Sequence, residues 1–214
     1  MELNIKIKNT GDNIYKKPLE KKKVLKWIKS KKNIIIEWIL FLVVFFIVWS
    51  HVNVVVSNSM YPVMKRGDLV VVENAYWEFN PEDVEVGDIV VYKAHWPLSG
   101  NRIDYILQIN NKTLAVYSGD KTKPVIHRVI EKVNIDGSYY IITKGDNNPI
   151  YDPELVSLEQ IKQRVITING NPLIIPYVGY ISIYLKKYIW VFLPLIIIWM
   201  IYDYIKDKIK NIKR

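Results

Sequence analysis

Two apolar runs frame a middle that alternates. Residues 33–49, NIIIEWILFLVVFFIVW, carry a single charge, Glu37, near the start, and VNVVV follows at 52–56. Residues 188–205, YIWVFLPLIIIWMIYDYI, stay apolar almost to their end. About 20 apolar residues cross a bilayer as a helix, so the runs predict transmembrane helices over 33–51 and 181–205. Pro194 predicts a kink in the second, which membrane helices tolerate. Trp38, Trp49, Trp190, Trp199 and Tyr202 suit the interfacial belts of such spans. A buried core helix would give the same apolar runs; the basic clusters flanking both favour the membrane.

Residues 52–180 read as all-β. DLVVVE (68–73), DIVVYK (88–93), TLAVYS (113–118), PVIHRVIEKV (124–133), SYYIITK (138–144) and QRVITIN (163–169) are short, rich in Val, Ile, Thr and Tyr, and bounded by turn residues. Six to nine such strands predict a small barrel or sandwich. The stretch 94–112 reads as an insertion or loop. The aromatics Tyr76, Trp77, Phe79 and Trp96 fit either the β core or contact with lipid headgroups.

Charge refines this picture. The net +9 lies wholly in the ends: 1–37 carry +7, 181–214 carry +5, and 51–180 carry −3. A mildly acidic middle argues against a nucleic-acid groove. The positive-inside rule places both ends, 1–32 and 206–214, in the cytoplasm and the β-domain outside. The first run is too long for a signal-peptide core and no small-x-small cleavage site follows it, so it reads as a retained anchor. With no cysteine, thiolate metal sites, disulfides and a Cys nucleophile are excluded.

His51, His95 and His127 lie far apart and show no metal-ligand spacing; no glycine-rich phosphate loop occurs. What remains is a serine hydroxyl, which needs a base and oxyanion donors to become a nucleophile. SNSMYP (57–62) places Ser57 and Ser59 in a link just after the first span. His127 sits in PVIHRVI, where a satisfied strand histidine is the plainer reading. Asp146 and Asp152 sit in KGDNNPIYDP, which also reads as a polar loop.

Taken in order, SNSMYPVMKRGDLVVV, GDIVVY (87–92), PVIHRVI (124–130) and ITKGDNNPIYD (142–152) resemble the successive boxes of type I signal peptidases. IPYVGYISIYL (175–185) resembles the segment leading to a second membrane helix. Bacterial members have lysine where this chain has His127, so the resemblance is to the archaeal and endoplasmic-reticulum, Sec11-like branch with a Ser-His-Asp site. The Ile-, Lys- and Asn-rich usage agrees with an archaeal source.

The resemblance implies a membrane-bound serine endopeptidase that removes signal peptides. Ser59 is then the nucleophile, His127 the base and Asp152 the third member, with Asp146 in support. Ser57 and the Ser59 N–H would supply the oxyanion hole. The implied partners are signal-peptide-bearing preproteins, the lipid bilayer and the translocation machinery; no cofactor or metal is implied. An extended substrate would add as a strand along 68–73 and 124–130. Many relatives have Gly where this chain has Asn58, a residue that tolerates left-handed backbone. Two other classes fit the outline: a non-catalytic β-domain serving as a binding or assembly subunit, and a self-cleaving repressor-type peptidase. The second has no DNA-binding segment here to support it.

Overall fold

The computed structural model describes residues 32–96 and 98–212. The basic stretch 1–31, expected from its charge to be cytoplasmic, and residues 213–214 lie outside the described residues.

Helix α1 (Lys32–Ser50) is apolar on every side, and its described side chains are exposed up to Trp49. Helix α2 (Gly179–Ile212) runs unbroken through Pro194, and its apolar window is likewise uncovered. A soluble core helix buries its apolar surface; these two do not, which removes the core-helix reading. Both are long and apolar enough to cross a membrane.

Between them lie twelve described strands: β1 (Val52–Val54), β2 (Leu69–Asn74), β3 (Ile89–Ala94), β4 (Arg102–Ile109), β5 (Lys112–Ser118), β6 (Lys123–Ile135), β7 (Ser138–Lys144), β8 (Val156–Ser157), β9 (Ile161–Val165), β10 (Thr167–Ile168), β11 (Asn171–Pro172) and β12 (Ile174–Ile175). Eight form one antiparallel sheet in the order β1-β2-β9-β3-β6-β7-β8, with β12 also on β2. The class is mainly β, as the alternating pattern predicts. The stretch 163–169 is not one strand: it breaks at Ile166, whose N–H donates to the Val71 carbonyl at 3.0 Å.

The stretch 94–112 is largely a strand rather than a loop. β4 pairs with β5 through a two-residue turn, Ile109 opposite Lys112. Asn110 and Asn111 both take positive φ, 48° and 62°, as a type I′ hairpin requires. Asp136-Gly137 and Asn169-Gly170 close two further hairpins in the same way.

Strand β3 is buried on both faces. Val90, Tyr92 and Ala94 join Phe79, Val129, Ile141 and Ile161 in one apolar cluster. Ile89 joins Met60, Met64, Val70 and Val72 in another. Phe79 and Trp96 belong to this packing, whereas Tyr76 and Trp77 stand 65% and 77% exposed. The core reading therefore holds for Phe79 and Trp96 and fails for Tyr76 and Trp77.

Strand β2 is interior. It has β1 on one side and β9 and β12 on the other. A substrate strand cannot add along 68–73, because no edge is open there.

Candidate active site

The nucleophile candidate is held by its C-terminal neighbour. Met60 is fully buried in the cluster of Val70 and Val72. The chain turns at once: Tyr61 N–H donates to the Asn58 carbonyl at 3.2 Å and Met64 N–H to the Met60 carbonyl at 3.0 Å. Met60 thus anchors the turn while Ser59, one residue earlier, stays half-exposed.

Asn58 acts through its side chain. Its Oδ1 accepts from the Arg66 N–H at 2.9 Å, tying the two ends of the turn together. Its backbone is not among the described positive-φ residues, so the expected left-handed geometry is not used.

Strand β6 sends His127 and Arg128 to opposite faces, as strand alternation demands. His127 is buried. Its Nε2 lies 3.0 Å from Ser59 Oγ, and its Nδ1 lies 2.6 Å from Asp152 Oδ2. A carboxylate only accepts, so Nδ1 carries the proton and Nε2 is left to accept from the Ser59 hydroxyl.

Asp152 is also buried and is fixed by two further donors. Thr143 Oγ1 donates to Asp152 Oδ2 at 2.7 Å and Tyr92 Oη donates at 3.0 Å; the two hydroxyl oxygens lie 3.1 Å apart. The Asp152 N–H donates to the Thr143 carbonyl at 2.8 Å, which returns the loop to β7. Burial and the Asp152 charge push the Tyr92 phenol well above its usual 10, so it remains a donor. Tyr92 also sits where the β3–β9 register shifts, and such irregularities re-aim side chains beside functional sites.

Asp146 lies apart from the imidazole. It receives Arg128 in a two-pronged pair, Nε to Oδ1 at 2.8 Å and Nη2 to Oδ2 at 2.7 Å. Arg128 Nη1 donates to the Gly87 carbonyl at 2.8 Å. The Asp146 hydrogen bond, chiefly, holds the Arg128 guanidinium above its usual range. Beside Asp146, the Asn147 N–H donates to the Ser59 carbonyl at 2.8 Å and Asn147 Nδ2 to the Asn58 carbonyl at 3.2 Å.

Ser57 Oγ stands 3.1 Å from Ser59 Oγ and 3.5 Å from the Ser59 amide nitrogen. A groove of about 390 Å³ opens beside these groups, lined by Val54, Val56, Trp96, Val125 and Ile126, with Lys123 and Asn148. Two open strand edges face it. β1 ends the sheet, and β6 has no β7 neighbour before Arg128.

The other histidines serve elsewhere. His51 Nε2 meets Glu78 Oε1 at 2.6 Å, and His95 Nδ1 meets buried Glu154 at 2.7 Å. Among the described residues, no group of three or more His, Asp and Glu side chains stands ready to hold a metal ion.

A hydroxyl, an imidazole and a carboxylate in series can move a proton off the oxygen as it attacks a carbonyl. That is the chemistry of a serine hydrolase. The signal peptidase, peptidase S26, family model matches residues 24–137, and the chain belongs to that family. An uncharacterized protein of Methanocaldococcus jannaschii is 53% identical over 199 residues, covering 77% of this chain and 98% of its own length. The signal peptidase complex catalytic subunit SEC11 of Colletotrichum graminicola is 33% identical over 143 residues, 66% of this chain and 67% of its own. That of Verticillium alfalfae is 32% identical over the same length.

Sequence reading alone misses Tyr92 and Thr143. Both look like ordinary strand residues in IVVY and IIT; a tyrosine in a strand buried on both faces was the available signal, since a buried hydroxyl needs a partner.

Proposed function

We propose that this chain is a membrane-bound serine endopeptidase, a type I signal peptidase of the Sec11-like branch, which cleaves signal peptides from preproteins. The observation that carries this reading is the continuous relay from Ser59 Oγ through His127 to Asp152.

Ser59 Oγ attacks the carbonyl carbon at the end of the signal peptide as His127 Nε2 takes its proton. The tetrahedral intermediate collapses, the C–N bond breaks, and His127 gives the proton to the leaving amine of the mature chain. Water then attacks the Ser59 ester, His127 accepting its proton and returning one to Ser59 Oγ. Asp152 holds the imidazole tautomer and stabilises the imidazolium. The Ser59 N–H and the Ser57 hydroxyl, which meet each other at 3.5 Å in the free protein, turn to the oxyanion once substrate is bound; one such donor contributes about 3 kcal/mol to transition-state stabilisation. Asp146 acts through structure: with Arg128 and Asn147 it supports the back of the Ser59 turn.

The substrate lies extended between residues 54–57 and 123–127, whose edges are open, as an added strand. Small side chains before the cut suit the shallow apolar groove. Both helices cross the bilayer, with the termini in the cytoplasm and the β-domain outside, where a substrate tethered in the same membrane arrives at high effective concentration.

Purified full-length protein in detergent, incubated with a preprotein, should release a mature chain whose new N-terminus follows an Ala-x-Ala-like site. No cleavage under conditions where the protein is folded would favour the alternative, a non-catalytic binding subunit.

A further inference from the structure

The turn Ala75–Phe79 is locked from within. Glu78 N–H donates to the Asn74 carbonyl at 2.9 Å, and Tyr76 N–H to the Phe79 carbonyl at 2.9 Å. Glu78 Oε2 accepts from the Asn74 N–H at 2.6 Å and from Asn74 Nδ2 at 3.0 Å. Phe79 plugs the turn into the core. What the turn presents outward is Tyr76 and Trp77, 65% and 77% exposed.

Tyr76 holds a φ of 65°, a region costly for a residue with a bulky side chain. Tyr177 shares it, at 66°, but its hydroxyl accepts from Lys65 at 2.8 Å and its ring lies under the same ammonium. Tyr76 has no such partner among the described residues. A rigid turn that holds two aromatic rings away from its own domain is suited to contact with another surface.

Chain connectivity says which surface. His51 directly follows the last residue of α1. Its Nε2 lies 2.6 Å from Glu78 Oε1, and its ring centroid lies 6.4 Å from that of Trp77. The 19 residues of α1 span about 28 Å at ~1.5 Å per residue, close to the hydrocarbon thickness. His51 therefore stands at the boundary layer, and Trp77 stands beside His51. Trp and Tyr, apolar rings with a polar tip, favour that layer.

We propose that the Tyr76–Trp77 turn docks into the lipid headgroup layer beside the exit of α1, giving the β-domain a membrane attachment besides its two helices. The proposal rests on α1 crossing the bilayer. The attachment sets the tilt of the β-domain, and with it the height of Ser59 over a substrate held in the same membrane.

The absence of native cysteine makes a direct test simple. Trp77→Cys, Phe45→Cys in mid-α1 and Val86→Cys are each made in the full chain, labelled with a nitroxide and placed in phosphatidylcholine–phosphatidylglycerol vesicles. Val86 is exposed and precedes β3, which runs parallel to β2, so it lies at the other end of the sheet from the turn. Collision with oxygen, which concentrates in lipid, is compared with collision with a water-soluble nickel chelate. The label at 77 should favour oxygen, at a depth between those at 45 and 86. A label at 77 as water-exposed as that at 86, with 45 deep in lipid, overturns the docking while leaving the membrane span standing. A water-exposed label at 45 overturns the span, and the docking with it. Trp77→Ala should also slow cleavage of a membrane-inserted preprotein several-fold and leave cleavage of a short soluble peptide unchanged; unchanged rates on both substrates, or equal losses, would overturn the proposed effect on Ser59 height.

Discussion

The Asn147 amide donates to the Ser59 carbonyl at 2.8 Å, so the loop that ends at Asp152 also grips Ser59, to which Asp152 is linked by hydrogen bonds through His127. Gly145 makes this approach possible. A Cβ there would stand 2.7 Å from the Ser59 carbonyl oxygen, a backbone atom that cannot swing aside. Gly145→Ala should displace Ser59 by a fraction of an ångström to an ångström and lower kcat by about 10²-fold, with the fold retained. Circular dichroism together with turnover of a peptide substrate checks this.

The two aspartates should separate by kind of loss. Asp152→Asn leaves His127 without its acceptor and should lower kcat by about 10⁴-fold with modest change in stability. Asp146→Asn breaks a two-pronged guanidinium pair and should cost about 1.5–3 kcal/mol of stability, with a smaller loss of kcat. Denaturant melts beside steady-state kinetics for both variants distinguish the roles; equal kcat losses would contradict the assignment.

Tyr92 and Thr143 are positioning residues. Their hydroxyls donate to Asp152 Oδ2 and hold the carboxylate against His127 Nδ1. Tyr92→Phe should therefore reduce kcat about tenfold, with KM little changed. An unchanged kcat would make Tyr92 a packing residue only.

Glu78 links the aromatic turn to pH. Burial raises its pKa, but hydrogen bonds from the Asn74 amide, His51 and the Asn74 side chain outweigh it, leaving the carboxyl below its usual 4.5. With the folded value depressed, its contribution is complete above the unfolded value and fades as pH falls through the folded one. A nitroxide at position 77 should stay ordered from neutral pH down to about 4.5 and become mobile only below it. Glu78→Gln should be mobile throughout.

Much of this molecule is legible in one dimension, for physical reasons that differ by residue. The apolar runs of α1 and α2 carry their message in length and composition alone, so two helices able to cross a membrane are legible without the fold. Ser59, His127 and Asp152 stand out because their boxes occur in family order; no local pattern joins residues 68 positions apart. The β4–β5 hairpin is a missed local signal, since Asn110-Asn111 between alternating runs predicts a two-residue turn. The interior place of β2 is not local at all: β12, about a hundred residues later, closes its edge. Asn58 likewise looks like a substitution for backbone freedom until Arg66 is seen to use its side-chain oxygen.

Ser59 as the nucleophile of a signal-peptide endopeptidase is the assignment on which the other roles depend. It is tested by comparing single-turnover cleavage of one preprotein by the wild type and by Ser59→Ala, both shown to be folded in detergent. The expected result is correct processing by the wild type and a loss of about 10⁶-fold in the variant. A folded Ser59→Ala protein that cleaves at the same site within about tenfold of the wild-type rate would contradict it.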